Sequence, residues 1–517
     1  MNPTPMPMPV IDLQPLLPIL ILSATIVAAL LAISIRRHHN SLLFLTLAGL
    51  AGSVAVIPAA RQAAVRQVTP LLLMDDFALL IIAILSVSSI AVALLAHSYL
   101  QRRREHPEEF YVLLLLATLG SAVLAGANHF ASLFLGLETL SVSLYAMISY
   151  TRSGRLAVEA GLKYLVLAGA SSAFLLFGMA LLYAELGTLQ FEDLAALMTT
   201  APPGGVLILA GIGLMIVGAG FKLAVVPFHF WTPDVYEGAP APVTAFVATV
   251  SKGGMVAVLL RFFLQIGMPR DSSLFYVMSA IAVASMVVGN LLALLQTNVK
   301  RILAYSSISH LGYLLVAFLA GGAAGSDMAS EAVLFYLIAY IVTSIAAFGV
   351  VSAMSGTDRD ADSLEDFRGL AWRKPGLAAV MTVSLMSLAG IPLTAGFVGK
   401  FYVLAAGMEA SLYTLVILLV LNSAVGIYYY LRIVVAMLWT PETEHAHAEP
   451  GHVLVEKPMS AHEGARGLPP GTSISHAPWI SLTAGAVLTA LLLLLVWLGV
   501  QPAPLQRAIE SAVTTLK

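Results

Sequence analysis

Six titratable side chains stand where so apolar a chain has little reason to hold them: Glu138, Lys163, Lys222, Lys252, His310 and Lys400. Each lies within a run of about 20 mostly apolar residues, the length that crosses a bilayer. A lysine at such a depth costs about 2.5–3.5 kcal/mol against lipid, so four of them would cost on the order of 10 kcal/mol. All four lysines are therefore expected to face a protein interior, with partners or water. Carboxylate, amine and imidazole groups lined up in a low-dielectric interior are the material of a proton relay.

The stretch that organises the set is Gly218–Pro242, GAGFKLAVVPFHFWTPDVYEGAPAP. Lys222 enters it alone, Pro227 removes a helix donor, and His229, Trp231, Pro233, Asp234 and Glu237 follow. A proline there frees backbone groups that only protein or water can satisfy, which predicts a broken helix lining an ion path. Gly390 and Pro392 interrupt a second run that holds Lys400. Lys222 precedes its break and Lys400 follows its own, so sequence order predicts two inequivalent half-paths. Glu138 begins a polar stripe with Ser141 and Tyr145 at i+3 and i+7, and is expected to pair with Lys222. Lys252 follows Thr244 and Thr249 and precedes Gly253-Gly254, while His310 is flanked by Ser306, Ser307 and Tyr313. Lys163, beside Tyr164 and ahead of Ser171 and Ser172, is a further relay candidate. Arg261 and Arg432 lie towards helix ends and read as structural, snorkelling or paired.

The elements that must carry these residues follow from composition. Of 517 residues 59% are hydrophobic and 10% charged, with a mean hydropathy of +0.91, a balance that no soluble domain has. The fold class is thus an all-α polytopic membrane protein. Fourteen spans are expected near 15–35, 41–58, 76–98, 110–126, 128–150, 160–184, 205–226, 242–264, 274–296, 301–320, 331–354, 376–405, 411–438 and 479–499. The two interrupted spans, 7 and 12, are the fourth members of consecutive five-helix blocks, spans 4–8 and 9–13. An odd block length inverts the second block, as in many carriers. This divides the chain into 1–105 (three N-terminal helices), 106–264 (first repeat), 265–439 (inverted repeat), 440–478 (polar linker) and 479–517 (last helix and tail).

Arg36-Arg37, Arg102–Arg104, Arg152, Arg155, Lys300-Arg301, Arg359, Arg368 and Arg373-Lys374 fall in one set of connections, against Arg61, Arg66 and Arg270 in the other. The positive-inside rule makes the first set cytoplasmic and puts both termini outside. No basic n-region precedes the first span, so it is expected to be retained. The absence of cysteine excludes disulfides, iron–sulfur clusters and thiolate metal sites in this chain. No nucleotide-binding fingerprint is present. Linker histidines His445, His447, His452, His462 and His476 are irregularly spaced among Gly and Pro, and read as linker rather than metal site.

GLETLSVSLYAMISY, KYLVLAGASSAFLLFGMALLY, GFKLAVVPFHFWTPDVYEGAPAPVTAF, NVKRILAYSSISHLGYLL and AGIPLTAGFVGKF closely resemble the antiporter-like membrane subunits of bacterial complex I, the proton-translocating NADH:quinone oxidoreductases. The resemblance covers nearly the whole chain and is nearest to the N-type branch. The M-type branch usually has glutamate where Lys400 stands, and the L-type has a long lateral C-terminal helix. The family's central polar axis maps onto Glu138, Lys222, Lys252 and Lys400. The resemblance implies a non-redox translocase subunit in the bacterial inner membrane, touching subunit M, small subunit K and lipid, with no nucleic acid. Quinone, FMN and iron–sulfur clusters belong to other subunits on this view, and no cofactor or metal to this chain. Subunits of Na⁺/H⁺ antiporters and of membrane-bound hydrogenases share the resemblance and are the alternatives.

Overall fold

The computed structural model describes residues 13–63, 67–103, 107–151, 154–200, 205–439 and 481–516. The His-rich linker 440–478 lies outside the described residues. Among those described, 13 helices are long and apolar enough to cross a membrane. They match the expected spans within a few residues at most ends. The fourteenth, span 12, is split into Pro375–Ala389 and Ala395–Glu409. Its break follows from local chemistry: Gly390 takes φ 83°, a left-handed cap that suits a residue without Cβ, and Pro392 cannot donate.

Span 7 breaks by a similar device. Val206–Leu223 closes at Ala224 with φ 62°, while the Val225 amide returns to Gly220 O at 3.0 Å. The freed Val226 amide donates to Ser285 Oγ at 2.9 Å. Pro227 lies in the gap, and a short helix, Trp231–Gly238, resumes the path. This second half extends span 7 beyond the expected end at 226.

Span 8 is also interrupted, which the sequence reading did not anticipate. Ala241–Ala248 and Val250–Ile266 meet at Thr249, whose φ of −120° and ψ of −77° are not helical. Its hydroxyl donates to Ala245 O at 2.6 Å, the i−4 back-bond by which threonine bends helices.

The bundle is built around three spans. The apolar windows of Ala241–Ile266, Val299–Ala323 and Asp327–Met354 are 100%, 94% and 100% buried, against 22% for Leu482–Val500. Lys252 and His310 thus ride on core helices, where no side of the helix meets lipid. Arg261 is fully buried and makes a bidentate pair with Asp75 at 2.7 and 2.9 Å, with its Nε left without a partner, and Arg432 donates to Leu294 O at 2.7 Å, so both are held as structural groups.

At the basic end, the connection 357–375 is pinned by Asp360. Its carboxylate accepts from Tyr99 Oη (2.7 Å), Arg103 (2.8 Å) and Lys300 Nζ (2.8 Å). Lys300, itself fully buried, also donates to the carbonyls of Glu237 and Ala239 at 2.7 Å, which fastens the second half of span 7 to span 10. Burial pushes the Asp360 carboxyl up, but Lys300 and Arg103 outweigh it and hold the group below the usual aspartate value. At the opposite end, Ala503–Val513 forms an amphipathic helix after the last span and packs on spans 3 and 11 through Ile509, Ala512 and Val513.

Candidate functional site

Lys222 occupies the last turn of Val206–Leu223, where the helix dipole favours a cation. It is 3% exposed and donates to Tyr164 Oη at 2.9 Å and Ser141 Oγ at 3.1 Å. The expected ion pair with Glu138 is not formed within 4 Å. Glu138 instead accepts from Ser172, and Ser141, one turn along the same helix, takes the lysine. The hydroxyl is what the i, i+3 stripe brings to Lys222. The carboxylate makes no direct contact with the lysine and bonds Ser172 instead.

Lys163 corrects an expectation. Its side chain is 43% exposed and bridges Glu159 at 2.8 Å and Asp234 at 2.7 Å. The reason is length. Arg155–Leu186 has 32 residues, about 48 Å at 1.5 Å per residue, and overshoots a hydrocarbon core of about 30 Å. Lys163 therefore sits near the helix end, in a surface network with Asp234, Glu237 and Arg301 (3.0 and 2.7 Å), apart from the buried lysines.

Lys252 is fully buried in the turn after the Thr249 interruption and donates to Ser307 Oγ at 2.6 Å. Ser307 also meets Tyr340 Oη at 2.6 Å and Tyr236 Oη at 3.4 Å. No direct hydrogen bond joins Lys222 to Lys252; the rings of Tyr164, Trp231 and Tyr236 stand between their partners, at centroid spacings of 4.9 and 6.5 Å. His310 has both ring nitrogens engaged, Nδ1 with Tyr336 Oη at 2.6 Å and Nε2 with Tyr430 Oη at 3.0 Å. Tyr430 is in turn bonded to Ser306.

Lys400 follows the break in sequence, yet its ammonium reaches back across it. Nζ donates to Ala389 O at 2.8 Å and Ser423 Oγ at 2.6 Å. Lys222 thus lies in the last turn of its first half, and the Lys400 ammonium reaches the last carbonyl of its own first half. A cavity of about 10 Å³, lined by His310, Tyr336, Tyr340, Thr343, Ser387 and Lys400 among others, lies between the histidine and the last lysine. Polar side chains stand around it, but its open surface is mostly apolar, and it is about the size of a single water.

Two further features were not legible in sequence. His229 Nδ1 and Thr232 Oγ1, in and beside the break of span 7, are buried without a hydrogen-bond partner, and such orphans mark a place for water. By contrast, a cavity of about 40 Å³ is lined by apolar side chains including Leu175, Met215, Met255, Phe262 and Phe318, and offers water little to bind. Among the described residues no group of three or more His, Cys, Asp or Glu is placed to hold a metal ion.

A family model described as NADH:quinone oxidoreductase/Mrp antiporter, TM, matches residues 127–426, well over half of the chain. That range contains all six candidate residues. The chain belongs to this NADH:quinone oxidoreductase/Mrp antiporter membrane family. It is 50% identical over 426 residues to NADH-quinone oxidoreductase subunit N of Methylococcus capsulatus, covering 82% of this chain and 86% of the relative. Respiratory complex I from Thermus thermophilus contains a chain of the same fold, with TM-score 0.75 and 32% identity over 96% of this chain and 100% of that one. A chain of the Mrp complex from Dietzia sp. reaches TM-score 0.80 at 22% identity over 98% of each chain, a likeness of fold alone.

Proposed function

We propose that this chain is the N-type, non-redox translocase subunit in the membrane arm of an NADH:quinone oxidoreductase. It moves protons through Glu138, Lys222, Lys252, His310 and Lys400 in step with quinone reduction elsewhere in the complex. One observation carries the reading. Lys222, Lys252, His310 and Lys400 are all buried, and each touches at least one Ser or Tyr hydroxyl, a group that can pass a proton on. Protons reach Lys222 from the basic end past His229 and Thr232, and cross from His310 to Lys400 at the small cavity that both line. The carboxylate of Glu138 biases Lys222 at a distance, and Lys163 ties the surface network to the same end.

On this reading the first repeat is 106–264 and the inverted repeat 265–439. Subunits M and K are its neighbours, and FMN, iron–sulfur clusters and quinone are held by other subunits. The chain sits in the bacterial inner membrane with both termini periplasmic. Replacing Lys252 by Met in the assembled complex should abolish proton pumping while leaving the partner subunits in place. Full pumping with normal assembly would overturn the role given to that lysine. Orientation is tested separately, because the chain has no native cysteine. An impermeant thiol reagent added outside should label exposed Gln62→Cys and spare exposed Asp358→Cys. The reverse pattern would overturn the topology.

A further inference from the structure

A second cluster of titratable groups lies outside the relay, where spans 2, 3 and 4 meet at the basic end. His39 opens span 2 directly after the N-cap His38, His97 lies in the last two turns of span 3, and Tyr111 in the first turn of span 4. His39 Nε2 is 2.7 Å from Tyr111 Oη and 2.9 Å from His97 Nδ1, and His97 Nδ1 is 3.2 Å from Tyr111 Oη. Three donor-capable atoms thus form a closed triangle. The phenol is fully buried, the two imidazoles are partly buried, and the exposed Arg37–Glu109 pair (2.8 Å) marks the nearby surface.

Hydrogen bonds can fill the three contacts only by sharing a proton. An imidazole nitrogen either carries a proton and donates, or carries a lone pair and accepts, but never both. If one of the two facing nitrogens is protonated, its N–H and the phenol O–H supply two protons for three edges, so one proton is shared. If neither is, the nitrogen–nitrogen contact has no proton. A cation at the centre resolves this, because all three atoms can turn lone pairs inward at once. From these contacts we infer that His39, His97 and Tyr111 form a binding site for a divalent late first-row transition-metal ion of the Zn²⁺, Ni²⁺ or Cu²⁺ class.

The dimensions suit that ion. Four-coordinate zinc holds imidazole nitrogen at about 2.0 Å, which places ligand atoms about 3.3 Å apart in a tetrahedron. The three edges, 2.7, 2.9 and 3.2 Å, need to open by at most about 0.6 Å. Imidazole suits such ions, whereas calcium and magnesium want oxygen ligands. Each imidazole needs only a tautomer that keeps its proton on the remote nitrogen, Nδ1 of His39 and Nε2 of His97. The phenol binds neutral or releases its proton to solvent, and water completes the shell. A bound ion would clamp the N-terminal helices to span 4 at the basic end.

The test uses the assembled complex, stripped with a chelator and re-equilibrated with radioactive zinc. Wild type should bind one more zinc per complex than either His39→Gln or His97→Gln, and the double variant should lose no more than a single variant. Equal zinc in wild type and the double variant would show a hydrogen-bonded triad only and overturn the site. Additive losses would also overturn it, since they mean two separate sites. Tyr111→Phe keeps the packing and guards against variants that fail to assemble. It should weaken zinc binding at least tenfold, and unchanged affinity would remove the phenol, and with it the three-ligand site.

Discussion

Gly390→Ala is the substitution whose effect can be worked most directly from the structure. A Cβ at this position would stand 2.7 Å from Lys400 Cδ, 3.2 Å from Nζ and 3.3 Å from Cε. The lysine must move, and its ammonium is held by only two hydrogen bonds, to Ala389 O and Ser423 Oγ. A hydrogen bond to a charged group contributes about 1.5–3 kcal/mol. Losing one of the two, about 2 kcal/mol, corresponds to about a thirtyfold slower transfer through Lys400. Alanine at φ 83° also strains the backbone by about 1–2 kcal/mol. Gly325→Ala separates the two effects: Gly325 caps span 10 at φ 62° and has nothing within 4 Å of the added methyl. Proton pumping and quinone reduction would be measured in membranes with the complex assembled. Gly390→Ala should pump severalfold to about thirtyfold less than Gly325→Ala. Equal activities would mean that the position of the Lys400 ammonium does not matter to transport.

Three other outcomes are expected. Lys222→Ala should impair pumping more than Lys222→Arg, because arginine keeps the charge beside Tyr164 and Ser141 but scarcely releases a proton; if both pump normally, span 7 has no organising role. Glu138→Gln can still accept from Ser172 yet loses the switchable charge, so pumping should fall at least about tenfold, and wild-type pumping in an assembled variant would discard the electrostatic role. Asp360→Asn breaks a buried cluster, at a cost of about 3–5 kcal/mol, and should expose amides of the connection 357–375 to hydrogen exchange at neutral pH. Since the Asp360 carboxyl is held below its unfolded value, its contribution is present above about pH 4 and lost as pH falls through the lowered value. Wild-type protection should therefore decline only in that acid range, and the asparagine variant should lack that step.

The spans were legible because bilayer thickness sets a length that hydropathy records directly. Interruptions at Pro227 and at Gly390-Pro392 were legible because those residues lack a donor or a Cβ. The bend at Thr249 was not, since it depends on a hydroxyl bonding Ala245 O, an option open to every threonine in a helix. Lys163 was misplaced because the apolar run was begun at 160, while the helix starts at Arg155 and projects beyond the core. The pairing of Glu138 with Lys222 failed at a finer level. Spacing shows that Glu138, Ser141 and Tyr145 share a face, but not which of them a lysine on another helix will reach.

Residue order also misled about the two breaks, and the reason bears on mechanism. Lys222 lies in the last turn before its break and Lys400 five residues into the following helix, yet both lysines are tied to the C-terminal end of a first half-helix, Lys222 by its backbone and Lys400 by its ammonium. That end carries roughly half a negative charge from the aligned peptide dipoles. Lys222 meets the helix end through its own place in the last turn, and Lys400 by extending back along its side chain to Ala389 O. At Lys400 the first half-helix thus supplies a fixed negative end facing a buried cation, which lowers the cost of charging it without an adjacent carboxylate. Neither Lys222 nor Lys400 has a carboxylate within 4 Å among the described residues; their direct partners are hydroxyls and, for Lys400, a carbonyl. An aspartate or glutamate in contact would lock the charge in place. Neutral dipoles leave each lysine able to gain or lose a proton as its neighbours change charge, which is the property a relay requires.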